Sequence, residues 1–164
     1  MAINNLKDIY IDQAQDIYSA CNQSEKVTRE LADAAHDESL KNALLAGVDG
    51  IRDGKDALAK IIKGHDADPT GEFCKGMEGL VKEARSHALE EEITDPSARD
   101  AMIITQYQRM AHYAIAGYGC LVAFAQRLDL KDDAKILQDC LSHTAEGDRT
   151  MTDLATGGIN KAAV

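Results

Sequence analysis

The run from Asp95 to Leu128, DPSARDAMIITQYQRMAHYAIAGYGCLVAFAQRL, limits what this chain can fold into more than any other part of it. It opens with the chemistry of a helix start. Asp95 can accept from the free N–H groups of a first turn, and the fixed φ of Pro96 suits the first helical position. No later proline interrupts the run. Ala101, Ile104, Gln108, Ala111, Ile115, Tyr118, Val122 and Ala125 recur at spacings of three and four, which places them on one face of an α-helix. Such a helix is roughly 50 Å long at about 1.5 Å per residue. It is too polar to cross a membrane and long enough to be the spine of a bundle.

The remaining chain supplies partners for that spine. A first helix is expected from about Asn4 to Ala35, with Leu6, Tyr10, Gln13, Ile17, Ala20, Ser24, Val27, Leu31 and Ala34 inward. Asn22 and Ser24 are candidate interruptions, because their side chains compete for backbone hydrogen bonds. Asp37 or Ser39 can cap a second helix that runs to about Lys63. Gly47, Gly50 and Gly54 lie along it. Each costs roughly 1 kcal/mol of helix propensity relative to alanine, so they mark either a close approach of another helix or tolerated exposure. Residues 64–73 read as loop. A shorter helix follows from about Lys75 to Glu91, with Met77, Leu80, Val81, Ala84 and Ala88 inward. After the spine, a turn over 129–133 leads to a last helix from about Asp132 to Ala155. Its inward positions are Ala134, Leu137, Leu141, Thr144, Asp148, Met151 and Leu154. Residues 156–164 read as a loose tail. No alternating Val, Ile and Thr run signals a strand. The fold expected is all-α: an up-down four-helix bundle of two helical hairpins joined by a long crossover, the ferritin-like arrangement, plus a short extra helix. One domain spans residues 1–164.

Composition narrows the function classes. The net charge of −10 argues against nucleic acid and against an anionic membrane surface. No apolar stretch approaches the ~18 residues of a spanning helix, and the first residues lack a secretory signal, so a cytoplasmic location is expected. Cys21, Cys74, Cys120 and Cys140 form no CxxC or CxxH pair, so neither a zinc site nor a redox dithiol is signalled. Cys21, Cys120 and Cys140 flank apolar stripes and are expected to be small buried hydrophobes.

Three segments, CKGMEGL (Cys74 to Leu80), DPSARDAMI (Asp95 to Ile103) and AHYAIAGYG (Ala111 to Gly119), together with the opening LKDIYIDQAQDIYSA, resemble the signature segments of the YciE/YciF-type bacterial proteins. The resemblance covers about Leu6 to Leu154. It implies a ferritin-like fold, a homodimer and a tie to bacterial stress responses. It also implies where metal ligands would stand: a carboxylate at Gln13, His and Glu at Gly47 and Gly50, glutamates at Ala111 and Ala114, and an acidic cluster at Ser142, His143 and Thr144. His112, Tyr113 and Asp148 match the family pattern.

Ferritin-like proteins that hold two iron or manganese ions use Glu and Glu-x-x-His from facing helices. The inward polar residues here are Gln13, Ser24, Gln108, Thr144 and Asp148, of which only Asp148 is charged. That set does not make a dinuclear site, and small residues in place of ligands favour tight packing. Asp148 on a core stripe needs a partner, which Gln13, Gln108 or Tyr10 could supply. His112 is expected to be partly buried and satisfied by a hydrogen bond, and His143 to lie on the surface. The reading that follows is a non-enzymatic structural or interaction protein with a degenerate metal site and no cofactor. One alternative is an iron- or manganese-dependent oxidoreductase or iron-handling protein using His112, His143, Asp148 and Gln13. A second is a small-molecule binder with an interhelical pocket.

Overall fold

The computed structural model describes residues 3–164. Its helices are α1 (Leu6–Ala34), α2 (Glu38–Gly64), α3 (Lys75–Ala84), α4 (Pro96–Arg127), α5 (Lys131–Leu154) and a final turn α6 (Asn160–Ala162). Wider π-type turns extend α3 through Arg85–Glu90 and α5 through Ala155–Ile159. No strand occurs among the described residues.

The starts of α1 to α4 each have an identifiable cause. Asn5 Oδ1 accepts from Asp8 N, Asp37 Oδ1 from Leu40 N and Asp95 Oδ1 from Ala98 N, so three helices carry side-chain N-caps. At α3 the cap is a thiol: Cys74 Sγ accepts from Met77 N at 3.3 Å. α1 runs through CNQSE without a break, because Ser24 Oγ turns back onto its own helix and donates to the Cys21 carbonyl. α2 and α4 both end in a turn whose next residue is left-handed, Asp66 and Asp129, each at φ 57°. The N–H of Ala67 reaches Ile62 O and that of Leu130 reaches Ala125 O, closing the last carbonyls of each helix.

α1 pairs with α2 and α4 with α5, and the hairpins dock through α1 on α4 and α2 on α5. Neighbours around the bundle are therefore α1, α2, α5 and α4. The crossover carries the chain from the far end of α2 back to the α1–α2 turn, and α3 lies on its way over α1 and α4. Asp100, near the start of α4, accepts from the N–H groups of His36 and Asp37, both at 2.8 Å, and ties the two hairpins at that end. α4 touches α1, α3 and α5, so its buried surface is broader than one stripe and takes in Ile103, Tyr107, Met110 and Leu121 as well. Arg85 grips Glu30 with two hydrogen bonds of 2.8 Å, fixing the end of α3 to α1.

The core falls into two apolar clusters. One surrounds Leu31, Leu40, Leu44, Met77, Ile103 and Met151. The other surrounds Tyr10, Ile17, Leu58, Ile62, Leu121 and Leu137. The C-terminal residues differ from the loose tail expected. Ala155 and Ile159 are buried against the first cluster, and that burial holds the final turns in place. No helix among the described residues is long and apolar enough to cross a membrane.

Candidate functional site

The middle of the bundle, where the two apolar clusters meet, is built from small residues on α2 and tyrosines on α4. A Cβ on Gly54 would lie 2.6 Å from Tyr118 Oη, and one on Gly47 2.7 Å from Tyr107 Oη. Both glycines therefore make room for a phenol tip crossing from α4. Gly50, between them, has nothing within 4 Å of the same position. It stands at the edge of a cavity of about 210 Å³ enclosed by α1, α2, α4 and α5, with Met77 of α3 closing one side.

Ala111 and Ala114 line this cavity. The tight packing expected of them does not occur: the bulk they lack is left as space. Its polar residues are Ser24, Thr28 and Cys21 from α1, Tyr107 and Tyr118 from α4, and Cys140 and Thr144 from α5. Cys21 Sγ lies 3.6 Å from Tyr118 Oη. Burial pushes the Cys21 thiol up to about 11 and, with Asp148 nearby, the Tyr107 phenol up to about 12. Both are therefore neutral at physiological pH. Thr28 is 0% exposed and its Oγ1 has no hydrogen-bond partner. Asp53, Asp139 and His143 are exposed and stand at the rim on the α2 and α5 side.

A dinuclear iron or manganese centre needs several carboxylate or imidazole donors converging on one point. The centre of this bundle presents hydroxyls and a neutral thiol instead. Among the described residues no group of three or more His, Cys, Asp or Glu is placed to hold an ion. The residues present do not fit the metal centre.

The sequence-derived ligand candidates are dispersed. His112 Nε2 and Asp148 Oδ2 do meet, at 3.0 Å, but on the outer α4–α5 seam. The His112 side chain is 65% exposed, more open than expected, while that of Asp148 is 17% exposed. Gln108 Nε2 completes the arrangement, donating to Asp148 Oδ1 at 3.1 Å and to Thr152 Oγ1 at 2.9 Å. Of the three partners considered for Asp148, Gln108 is the one that serves. Tyr10 instead donates to Asp133 at the opposite end of the bundle, where His65 Nε2 also reaches Asp133 at 2.7 Å. Gln13 is exposed and donates to its neighbour Asp12. Ala14 takes the inward place in that turn. His143 sits at the cavity rim, apart from the His112–Asp148 pair.

Two polar features escaped the sequence. Thr28 follows Ser24 by four residues, a spacing that puts both hydroxyls on one face, and this was the available signal. Cys74, Tyr113 and Asp16 form a small network in which Tyr113 Oη donates to Asp16 at 2.9 Å and lies 3.0 Å from Cys74 Sγ. Burial and the nearby Asp16 carboxylate raise both the thiol and the phenol. Cys120 is exposed, against the expectation of burial, because it falls on the outer face of α4.

Comparison with known proteins agrees with this architecture. A domain of unknown function (DUF892) matches residues 5–164. Protein YciF of Escherichia coli (strain K12) is 30% identical over 164 residues, covering 99% of this chain and 98% of its own. The crystal structure of the Escherichia coli stress protein YciF superposes with a TM-score of 0.89 at 29% identity, covering 97% of this chain and 99% of that one. YcfI of Rhodopseudomonas palustris, proposed to be a structural protein, gives a TM-score of 0.85 at 28% identity, over 92% and 94% of the two chains. With a ferritin-like bundle, a match along nearly its whole length and a relative at this identity, the chain belongs to the DUF892 family of YciF-type proteins.

Proposed function

We propose that this protein is a non-enzymatic, ferritin-like structural or interaction protein with a degenerate metal site, acting as a homodimer in bacterial stress physiology. The observation that carries the reading is the chemistry of the bundle centre. Gly50, Ala111 and Ala114 stand where the resemblance puts ligands, and the polar groups around them are neutral hydroxyls and a thiol. The His112–Asp148 pair offers two donors on an open seam, too few to hold a dinuclear centre. The stress association is supported by the name of the Escherichia coli relative, and a structural role by the description of YcfI.

Metal content decides the central point. Protein purified without chelator or affinity metal, then incubated with iron, manganese and zinc salts and desalted, is expected to retain none of them by elemental mass spectrometry. About two ions per chain, the stoichiometry of a ferritin-like dinuclear site, would overturn the reading. Light scattering on the same preparation is expected to return twice the chain mass across a wide dilution range; a monomer at all concentrations would remove the homodimer.

A further inference from the structure

The centre of the bundle is furnished in a way that packing alone does not call for. A fully buried threonine hydroxyl without a partner is costly, and a valine of nearly the same shape would avoid the cost. Ser24 Oγ, having donated to the Cys21 carbonyl at 3.3 Å, keeps its acceptor capacity. Opposite these groups the wall is apolar, supplied by Met77, Met110, Ala111 and Ala114.

The space of about 210 Å³ is of the order of engineered apolar cavities, about 150 Å³, that take up benzene. It is not sealed. A groove between α2 and α5 shares Gly50, Ile51, His143 and Thr144 with it and leads in from solvent. Charge at the entrance also selects. Asp53 and Asp139 at the rim, on a chain of net charge −10, disfavour an anion. Both carboxylates are exposed at the rim, and the inner wall of hydroxyl, thiol and methyl groups offers nothing to pair a buried cation.

We propose that this cavity is a binding site for a small neutral molecule, a single ring bearing a hydroxyl or carbonyl group, whose polar atom pairs with Thr28 Oγ1 while the ring lies against Met110, Ala111 and Ala114. This goes beyond the scaffold role and does not depend on it. It explains why a costly threonine sits where valine would pack, and why Ala111 and Ala114 leave space unfilled.

Phenol is the probe, with benzene and benzoate as comparators, titrated into the full chain and followed by ¹H–¹⁵N NMR. Phenol is expected to give saturable shifts centred on Ser24, Thr28, Gly50 and Ala111, with a Kd on the order of 1 mM or tighter, while benzoate gives none. Thr28→Val is expected to weaken phenol roughly three- to tenfold and leave benzene unchanged, the effect of one neutral hydrogen bond. Ala111→Leu is expected to abolish both, and Ala114→Leu is the second filler should the first not fold. Shifts that never saturate, or that persist in a folded filler variant, would overturn the site. Equal affinity of phenol for wild type and Thr28→Val would overturn the role given to the hydroxyl.

Discussion

At the scale of single residues, Gly47, Gly50 and Gly54 of α2 are not equivalent. Gly54 is filled by a tyrosine hydroxyl, whereas Gly50 borders open space. Replacing each by alanine should move stability in opposite directions. Gly50→Ala should stabilise by up to about 1 kcal/mol through helix propensity. Gly54→Ala should lose about 1–3 kcal/mol to overpacking, only partly offset by the same propensity gain. Chemical denaturation of the two variants checks the contrast, and Tyr118→Phe should recover part of the Gly54→Ala loss by removing the colliding oxygen. The cysteines divide as sharply. Cys120 is exposed, whereas burial holds Cys21 as a neutral thiol, pushed up to about 11. Because the thiolate is the reactive form, a disulfide reagent at neutral pH should modify Cys120 first and leave Cys21 and Cys74 untouched until the protein unfolds. Rapid modification of Cys21 in the native state would contradict the buried placement.

At the scale of elements, most boundaries were legible because they rest on local chemistry. Asp37, Asp95 and Pro96 act where their side chains and ring geometry say they should. The registers that failed have physical causes. A helix repeating every 3.6 residues admits either Gln13 or Ala14 as the inward residue of its turn, and the apolar one was buried. Cys120 flanks an apolar stripe in the second half of α4, where almost every residue is apolar; the outward face it shares is marked only earlier in the helix, by Thr105, Arg109 and His112. The site was harder still. Which glycine meets a tyrosine, and which borders the cavity, depends on the register between α2 and α4, which neither helix encodes alone. The tight turn after α4 carries a prediction of its own. Asp129 is left-handed, a conformation that costs an L-residue roughly 1–2 kcal/mol and glycine almost nothing. Its contact with Lys131, 3.5 Å between two exposed side chains, adds little in return. Asp129→Gly should therefore raise the midpoint of thermal unfolding; a fall would mean that the aspartate side chain does more at this turn than its geometry indicates.

At the scale of the whole molecule, the crossover leaves the two hairpins to be joined by tertiary contacts, and the most specific of these is Asp100. Its carboxylate is buried and satisfies two N–H groups of the α1–α2 turn. Asp100→Ala would strand those donors at about 1–3 kcal/mol for each that water cannot reach, a loss measurable in a urea titration. If it proved silent, the docking of the hairpins would have to rest on the apolar clusters alone. Those clusters close above and below the central cavity without filling it. The volume held there disappears when the chain unfolds, so the native state occupies more room than the denatured one. Hydrostatic pressure acts on that difference. The protein should therefore give way comparatively early under compression, with an unfolding volume change toward the larger end of the usual range, roughly −20 to −100 mL/mol.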